Sequence, residues 1–189
     1  MHQSFKRFFE ALGPLSDDEW LFLVSQVKTR QLAKGTILLR PGQVAEKAFF
    51  VCDGLFRIYS CLRGREETRN FFDEGTFFSE SLSFFTGQPS HFFLEALEDS
   101  TVIEVSRVNA DKIFDHSLTL ARIGRRIIER SMTGLAGRVV DSLASKGPAR
   151  YLALRRTRPG LFQRVPQYMI ASYLGLTPEA LSRIITRSS

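Results

Sequence analysis

The sequence predicts an α+β protein with an N-terminal antiparallel jelly roll preceded by helices, one long helix, and a small all-α helix-turn-helix domain. Three observations predict this fold class. Short β-rich runs separated by turn signals extend over residues 36–105, apolar residues then recur every three or four positions through 146, and 165–184 has the pattern of two short helices joined by a glycine turn. The predicted parts are residues 1–117, 118–146 and 147–189.

The N-terminal part begins with a predicted helix. Ser16 can cap it, and the carboxylates of residues 17–19 fill its first turn, where the partly positive helix end favours negative charge. From residue 29 the apolar period becomes that of strands. Many short strands at even spacing, separated by Gly- or Pro-containing turns, favour a jelly roll among the antiparallel barrels and sandwiches. The six runs are 36–39, 48–51, 55–59, 68–72, 92–96 and 101–105.

A long helix is predicted from residue 118 to residue 146. Its apolar positions form a seam like that of a coiled coil, which predicts a dimer interface. The same spacing also fits a helix that packs on its own jelly roll, and the sequence leaves this alternative open. The seam residues are Leu120, Ile123, Ile127, Ile128, Met132, Leu135 and Val139.

The C-terminal part has the pattern of a helix-turn-helix. In its first helix, Ile170 and Leu174 lie one turn apart on the same face. Gly175 stands at the turn, where a positive φ is wanted, while Thr177 and Pro178 suit the N-cap and the first position of a second helix. An ordinary helical hairpin is the alternative. The residues expected between the two helices are Ala171, Leu181 and Ile184.

Charge is distributed unevenly along the chain. Residues 1–117 carry 13 Lys and Arg against 17 Asp and Glu, whereas residues 118–189 carry 13 against 3. A basic C-terminal part on a mildly acidic remainder predicts a polyphosphate partner. An anionic membrane is the competing partner, but the arginines are scattered rather than set opposite a wide apolar face, which favours double-stranded DNA.

Composition excludes several other classes of protein. No apolar run is long enough to cross a bilayer, and the first residues lack a signal-peptide core, so we expect a cytoplasmic protein without membrane association. Cys52 and Cys61 are too few for a disulfide framework and form no CxxC pair. We interpret both as small apolar residues in strands, with a redox pair as the alternative.

Three motifs along the chain resemble those of the cyclic-AMP receptor/fumarate-nitrate regulator (Crp/Fnr) family of bacterial transcription factors. They are Lys34-Gly-Thr-Ile-Leu followed by Pro41-Gly42, the stretch from Phe50 to Arg57, and the stretch from Val165 to Arg183. The resemblance covers nearly the whole chain. It implies a homodimer on a two-fold symmetric operator, with an effector in each β-roll that changes how the DNA-binding domains sit.

The resemblance also implies where a cyclic nucleotide would bind. In nucleotide-binding members a Glu holds the ribose, and an Arg some ten residues later holds the cyclic phosphate. Glu80 matches the ribose Glu, but Ser79 replaces the preceding Gly, and Ser90 and His91 stand where Arg and its small neighbour belong. A buried phosphate without its guanidinium would be uncompensated. We therefore expect no cofactor and no response to cyclic AMP.

Phenylalanine doublets surround the same segment, at 71–72, 77–78, 84–85 and 92–93. Since neighbouring side chains in a strand point to opposite faces, each strand doublet should send one ring inward and one outward. Either the rings pack the pocket shut, with the outward rings against the long helix, or they bind an unidentified apolar small-molecule effector with His91 or Glu80 as its polar handle. The candidate pocket residues are Phe72, Phe78, Glu80, Ser90 and His91.

If the second helix of the pair enters the major groove, Arg183 can fork onto guanine O6 and N7. Glu179, one turn earlier, can accept from cytosine N4 or orient Arg183. The family's recognition helix has Glu and Arg four residues apart, and both positions match. The alternative is an exposed ion pair. The remaining DNA-contact candidates are Gln167, Tyr168, Thr177, Pro178, Ser182, Thr186 and Arg187.

The wing that commonly follows the recognition helix in this family has no counterpart before Ser189. Either the domain is a reduced version, or the phosphate contacts of the wing come from the basic segment instead, from Arg150, Arg155, Arg156 and Arg158. Two other functions are alternatives: a ligand-binding module that acts through protein contacts without DNA, and a metal-dependent enzyme of the cupin type. The enzyme is not expected, because His2, His91 and His116 are isolated and no His-x-His pair occurs.

Overall fold

The computed structural model describes residues 3–62 and 64–188, and it confirms the α+β fold class with antiparallel sheets, a long helix and a small C-terminal helical part. The helices are α1 Gln3–Glu10, α2 Asp17–Ser25, α3 Ser81–Thr86, α4 Arg107–His116, α5 Leu118–Ala144, α6 Gly147–Thr157, α7 Leu161–Arg164, α8 Gln167–Tyr173 and α9 Pro178–Ser188. The strands are β1 Lys28–Leu32, β2 Ile37–Leu39, β3 Lys47–Asp53, β4 Phe56–Leu62, β5 Arg65–Phe72, β6 Phe77–Phe78, β7 Phe93–Ala96 and β8 Ser100–Ser106.

Two four-stranded sheets form the β-roll, with strand orders β1-β8-β3-β6 and β2-β7-β4-β5. The pairs of β8 with β1 and with β3 are antiparallel, as are β2 with β7 and β3 with β6. The turn from β3 into β4 requires glycine, because Gly54 has a φ of +109° and a Cβ there would overlap Ser100. Cys52 and Cys61 both lie in strands, as predicted.

Contacts divide the chain into two compact units. The first contains the residues up to Ile58 together with Phe71–Ser131, and the second contains Tyr59–Asn70 together with the residues from Met132 onward. These divisions fall elsewhere than the predicted boundaries, since α5 contributes to both units and the tip of the β4–β5 hairpin groups with the C-terminal helices. The buried core of the second unit is formed by Tyr59, Tyr151, Leu154, Leu161, Val165, Met169, Ile170, Ala171, Leu174 and Leu181.

The predicted helix at Ser16 is present as α2. The Ser16 hydroxyl accepts from the amide of Glu19, and the Glu19 carboxylate accepts from the amide of Ser16, so that the two residues form a capping box. Hydrogen bonds from the Ser117 hydroxyl and the Ser16 amide lower the pKa of the Glu19 carboxyl. The carboxylate thereby also binds the residue that precedes α5.

Helix α1 was not predicted, and it changes the position expected for the outward rings. The Phe5 ring lies 5.2 Å from Phe50, and the Phe8 ring lies 5.3 Å from Phe77, measured between ring centroids. Phe77, the outward ring of the doublet on β6, therefore packs on α1 beside Phe50 of β3, whereas the sequence placed the outward rings against the long helix. The apolar spacing of Phe5, Phe9 and Leu12, all buried, is the signal that would have revealed this helix.

The seam predicted on the long helix divides into two parts. Leu120 and Ile123 are 1% and 2% exposed and belong to the core of the first unit. For these two residues the prediction of a dimer contact is wrong, because they pack on the chain's own roll. Further along, Ile127 and Ile128 are half-buried. The last three seam residues, Met132, Leu135 and Val139, are 65%, 55% and 51% exposed.

Candidate functional sites

The turn between α8 and α9 has the predicted geometry. Gly175 adopts a φ of +64°, the left-handed conformation that glycine reaches without steric cost. The amide of Leu176 donates to the Ala171 carbonyl at 2.9 Å, which satisfies the end of α8. The Thr177 hydroxyl accepts from the amide of Ala180 at 3.2 Å and caps α9. The sequence pattern of a helix-turn-helix is confirmed by these contacts.

The two helices pack through small and branched apolar side chains. Ala171 and Leu181 are fully buried, and Leu174 is buried as well, whereas Ile184 is half-buried. The carbonyl of Leu174 accepts two hydrogen bonds from the Arg150 guanidinium, from Nε at 3.2 Å and from Nη2 at 2.9 Å. Arg150 therefore closes the C-terminal end of α8. Since its guanidinium also binds the Ser145 carbonyl, Arg150 is not the free phosphate contact that the sequence suggested.

All nine side chains predicted to contact DNA are exposed. Gln167 and Tyr168 stand in the first turn of α8, with Tyr168 half exposed. On α9, Ser182 and Arg183 follow Glu179 by three and four residues, so both lie on the side of the helix that carries Glu179. The others with exposed side chains are Thr177, Pro178, Thr186 and Arg187.

Glu179 has a defined electrostatic role at the start of α9. A hydrogen bond from its own backbone amide lowers the pKa of the Glu179 carboxyl, and the Thr177 hydroxyl and the positive charge of Arg183 act in the same direction. The carboxyl is therefore ionised near neutral pH. An ionised carboxylate here can accept from a cytosine amino group or hold Arg183 in position, while Thr177 serves as a helix cap.

The polar residues predicted for the effector pocket differ in their exposure and in their hydrogen-bond partners. The Glu80 side chain is buried and caps α3, accepting from the amides of Leu82 at 3.1 Å and Ser83 at 3.0 Å. Ser90 is 2% exposed, and its hydroxyl accepts from the amide of Phe92 at 3.0 Å. His91 is exposed. The two residues proposed to bind the polar group of an effector therefore have different environments. Glu80 is bound to the amides of α3, and His91 is exposed to solvent.

Aromatic rings fill the interior of the roll beside β6. The Phe78 ring lies 4.8 Å from Phe72, 4.9 Å from Phe56 and 5.4 Å from Phe49, measured between centroids. A cleft of about 250 Å³ lies elsewhere on this unit, beside Arg30, Leu38 and the segment 43–47. None of the five predicted pocket residues lines that cleft. The ring packing favours the interpretation of a roll closed by phenylalanine.

The described residues were also compared with the requirements of a metal site and of a membrane-spanning helix. Within residues 3–62 and 64–188, no three His, Cys, Asp or Glu side chains come together as metal ligands would. The same part of the chain contains no helix with the length and apolar character needed to span a membrane. His2, one of the three histidines considered for an enzyme, lies outside the described residues.

Comparisons with known proteins connect these features to a family. The family model of the cyclic nucleotide-binding domain matches residues 29–117. The nitrogen fixation regulation protein FixK of Rhizobium meliloti is 29% identical over 163 residues, which cover 81% of this chain and 71% of that protein. FixK2 from Bradyrhizobium japonicum superimposes with a TM-score of 0.68 at 20% identity, over 85% of this chain and 83% of the other.

A crystal structure from Eubacterium rectale, assigned to the Crp/Fnr family of transcriptional regulators, gives a TM-score of 0.70 at 16% identity. That superposition covers 92% of this chain and 83% of the other. The resemblance drawn from the sequence motifs is therefore confirmed: this chain is a homologue of FixK with a cyclic nucleotide-binding domain in its N-terminal part, and it shares the fold of Crp/Fnr-family regulators.

Proposed function

We propose that this chain is a transcription regulator of the Crp/Fnr type that binds a two-fold symmetric operator as a homodimer. The observation that carries this proposal is the exposed side of α9, where Glu179 and Arg183 lie four residues apart on a correctly capped recognition helix. The protein acts in the cytoplasm, where its DNA is, and it has no enzymatic activity of its own.

Base recognition is assigned to α9. Contacts with the DNA phosphates, which orient the protein on the duplex, are assigned to α6. Arg183 supplies the planar donor fork that suits guanine, and the ionised Glu179 carboxylate accepts from a cytosine amino group or orients Arg183. Exposed arginines of α6, Arg155 and Arg156, provide positive charge for phosphates. The excess of Lys and Arg after residue 117 supports this division of roles.

Dimerisation is assigned to the exposed part of the α5 seam. Met132, Leu135 and Val139 are more than half exposed, and their spacing of three and four residues places them on one side of the helix. A second copy of α5 packed in parallel would cover these side chains in the manner of a short coiled coil. A symmetric pair of recognition helices follows from such an arrangement.

Cyclic AMP is not the effector in this proposal. The Glu80 carboxylate already accepts two amide hydrogen bonds of α3, Ser90 stands where the phosphate-binding Arg belongs, and the Phe78 ring cluster fills the roll. Binding a nucleotide would require that the carboxylate leave its helix cap and that the rings move apart. Operator binding is therefore expected without any added cyclic nucleotide.

Selection of duplexes from a random pool by the purified full chain, followed by sequencing, tests the proposal. We expect enrichment of a two-fold symmetric site with half-sites about one helical turn apart, equally with and without cyclic AMP. Enrichment that appears only when cyclic AMP is added would contradict the effector assignment alone. Failure to retain any duplex, even at low salt, would reject the DNA-binding function and favour a module that acts through protein contacts.

A further inference from the structure

The tip of the β4–β5 hairpin, residues 59–70, presents the outer side of strand β5 to helix α8 of the same unit. In the strand order of the sheet β5 is the last strand, so backbone amides and carbonyls on its outer side can bind groups other than strands. The carbonyl of Glu66 and the amide of Thr68 point to the same side of β5, because the backbone of a strand repeats every two residues. Both belong to the second unit, together with α8.

One hydroxyl of α8 binds both groups. The Ser172 Oγ accepts from the amide of Thr68 at 2.9 Å and donates to the carbonyl of Glu66 at 3.3 Å. Thr68 is only 4% exposed, so its amide would have little access to water if the hydroxyl were removed. A donor and an acceptor two residues apart match the single donor and acceptor of a hydroxyl, which defines the register of the helix on the strand.

Ser172 stands next to the residues that hold the recognition helix. Ala171, its neighbour on α8, is fully buried where α8 packs on α9. A helix of seven residues has little rigidity of its own, so a contact that fixes α8 also fixes the position of α9. The side chains of Glu179 and Arg183 remain exposed while this contact is made, so the contact does not block the proposed DNA surface.

We propose that Ser172 is a positioning residue for operator recognition, binding the β5 edge at the hairpin tip so that α8 and α9 are held in the arrangement that reads DNA. This inference rests on the proposed function. It assigns the hairpin tip to the DNA-binding machinery, although the tip itself contacts no base in this role. Base readout depends on accurate placement of α9, whereas phosphate contacts tolerate displacement, so the contribution belongs mainly to specific binding.

Three variants of the full chain separate this role from others. Ser172→Ala removes the hydroxyl, Ser172→Thr keeps it, and Thr68→Val keeps the strand amide while it removes the neighbouring side-chain hydroxyl. Two quantities are measured for each: the dissociation constants for the selected operator and for a random duplex, and the hydrogen exchange rate of the Thr68 amide. A melting curve establishes that each variant is folded.

Loss of one neutral hydrogen-bonding group predicts a weakening of operator binding by Ser172→Ala of about three- to tenfold. Random-duplex binding should stay unchanged, and exchange at Thr68 should be faster. Ser172→Thr and Thr68→Val should remain within about twofold of the parent chain.

Faster exchange with unchanged operator affinity would overturn the positioning role, and so would equal losses for operator and random duplex, which indicate a phosphate contact. Weaker binding with unchanged exchange would show that Ser172 acts through another contact. Failure of the parent chain to bind any duplex would instead refute the proposed function, while the exchange rates would still report the contact.

Discussion

At the scale of single residues, Arg183 is the side chain on which operator recognition depends most directly in the proposed function. It is exposed on α9 beside an ionised carboxylate, and a guanidinium that forks onto guanine discriminates against other bases by about 1–3 kcal/mol. Arg187, four residues later, stands nearer the end of the helix and is assigned to phosphates. In the proposed function, Arg183 therefore contributes base specificity and Arg187 contributes affinity for any duplex.

Arg183→Ala should weaken operator binding by about 1–3 kcal/mol and relax the preference at one base pair of each half-site. Arg187→Ala is the matched control, because it removes the same charge from the same helix and should weaken operator and random duplexes alike. Binding titrations on the operator, on single-base variants of it and on a random duplex make the comparison. A uniform loss for Arg183→Ala would mean that this residue, too, contacts only phosphate.

Residue identities predicted the helix ends well because capping is a local property. Ser16 with Glu19, and Thr177 before Pro178, specify their hydrogen bonds within four residues. The role of Glu80 could not be predicted in the same way. Its match to a ribose ligand came from resemblance, whereas in the structure it is the N-cap of α3.

At the scale of elements, strands β1, β8 and β3 are joined by their backbone hydrogen bonds and also by the ion pairs of one carboxylate, that of Glu104. Glu104 of β8 lies opposite Lys28 of β1 and Phe49 of β3. Its carboxylate binds Arg30 of β1 and Lys47 of β3, each at 3.0 Å. The carboxylate is nearly buried, while both cations are about 40% exposed, so each pair on its own is a modest contribution.

This carboxylate predicts a pH dependence of stability. Burial acts to raise the pKa of Glu104, but the hydrogen bonds from Arg30 and Lys47 outweigh it, and the pKa lies below its ordinary value. A depressed pKa in the folded state means that the stabilisation is present at neutral pH and is lost as pH falls below the ordinary carboxyl range. Glu104→Gln should therefore lower the free energy of unfolding by on the order of 1 kcal/mol at pH 7.

Denaturant titrations of both proteins at pH 7 and in acid measure this effect. The difference between Glu104→Gln and the parent chain should shrink as the pH falls through the depressed pKa of Glu104, below the ordinary carboxyl range, because the parent carboxyl is then protonated as well. Glu10→Gln, which changes an exposed partner of Lys6 on α1, is the control and should show little difference at either pH. A constant difference across the range would assign the loss to packing instead of charge.

Helices that pack against residues distant in sequence could not be placed from the sequence pattern. The spacing of Phe5, Phe9 and Leu12 indicates that α1 is a helix, but it does not show that α1 covers the aromatic rings of β3 and β6. On α5 the apolar spacing is the same whether its partner is the chain's own roll or a second copy. The structure assigns Leu120 and Ile123 to the first of these and leaves Met132, Leu135 and Val139 exposed.

At the scale of the whole molecule, the proposed function depends on pairing two recognition helices, and the exposed seam of α5 is the surface proposed for this pairing. Leu135, in the middle of the seam, is 55% exposed in the single chain. Placing a carboxylate there would put two like charges opposite each other in a parallel pair and leave each without a partner, which strongly disfavours association. Leu135→Glu should therefore separate the dimer without unfolding the chain.

Val140→Glu is the matched control, because Val140 is 61% exposed on the same helix but stands off the seam. Sedimentation should give the parent chain and Val140→Glu about twice the 21.5 kDa of one chain, whereas Leu135→Glu should dissociate at concentrations at least about tenfold higher. On the symmetric operator, Leu135→Glu should bind with the affinity of a single half-site. An unchanged dimer in this variant would show that Leu135 lies outside the interface, and a monomeric parent chain that still binds the full operator would show that pairing of α5 is not what assembles the two recognition helices on DNA.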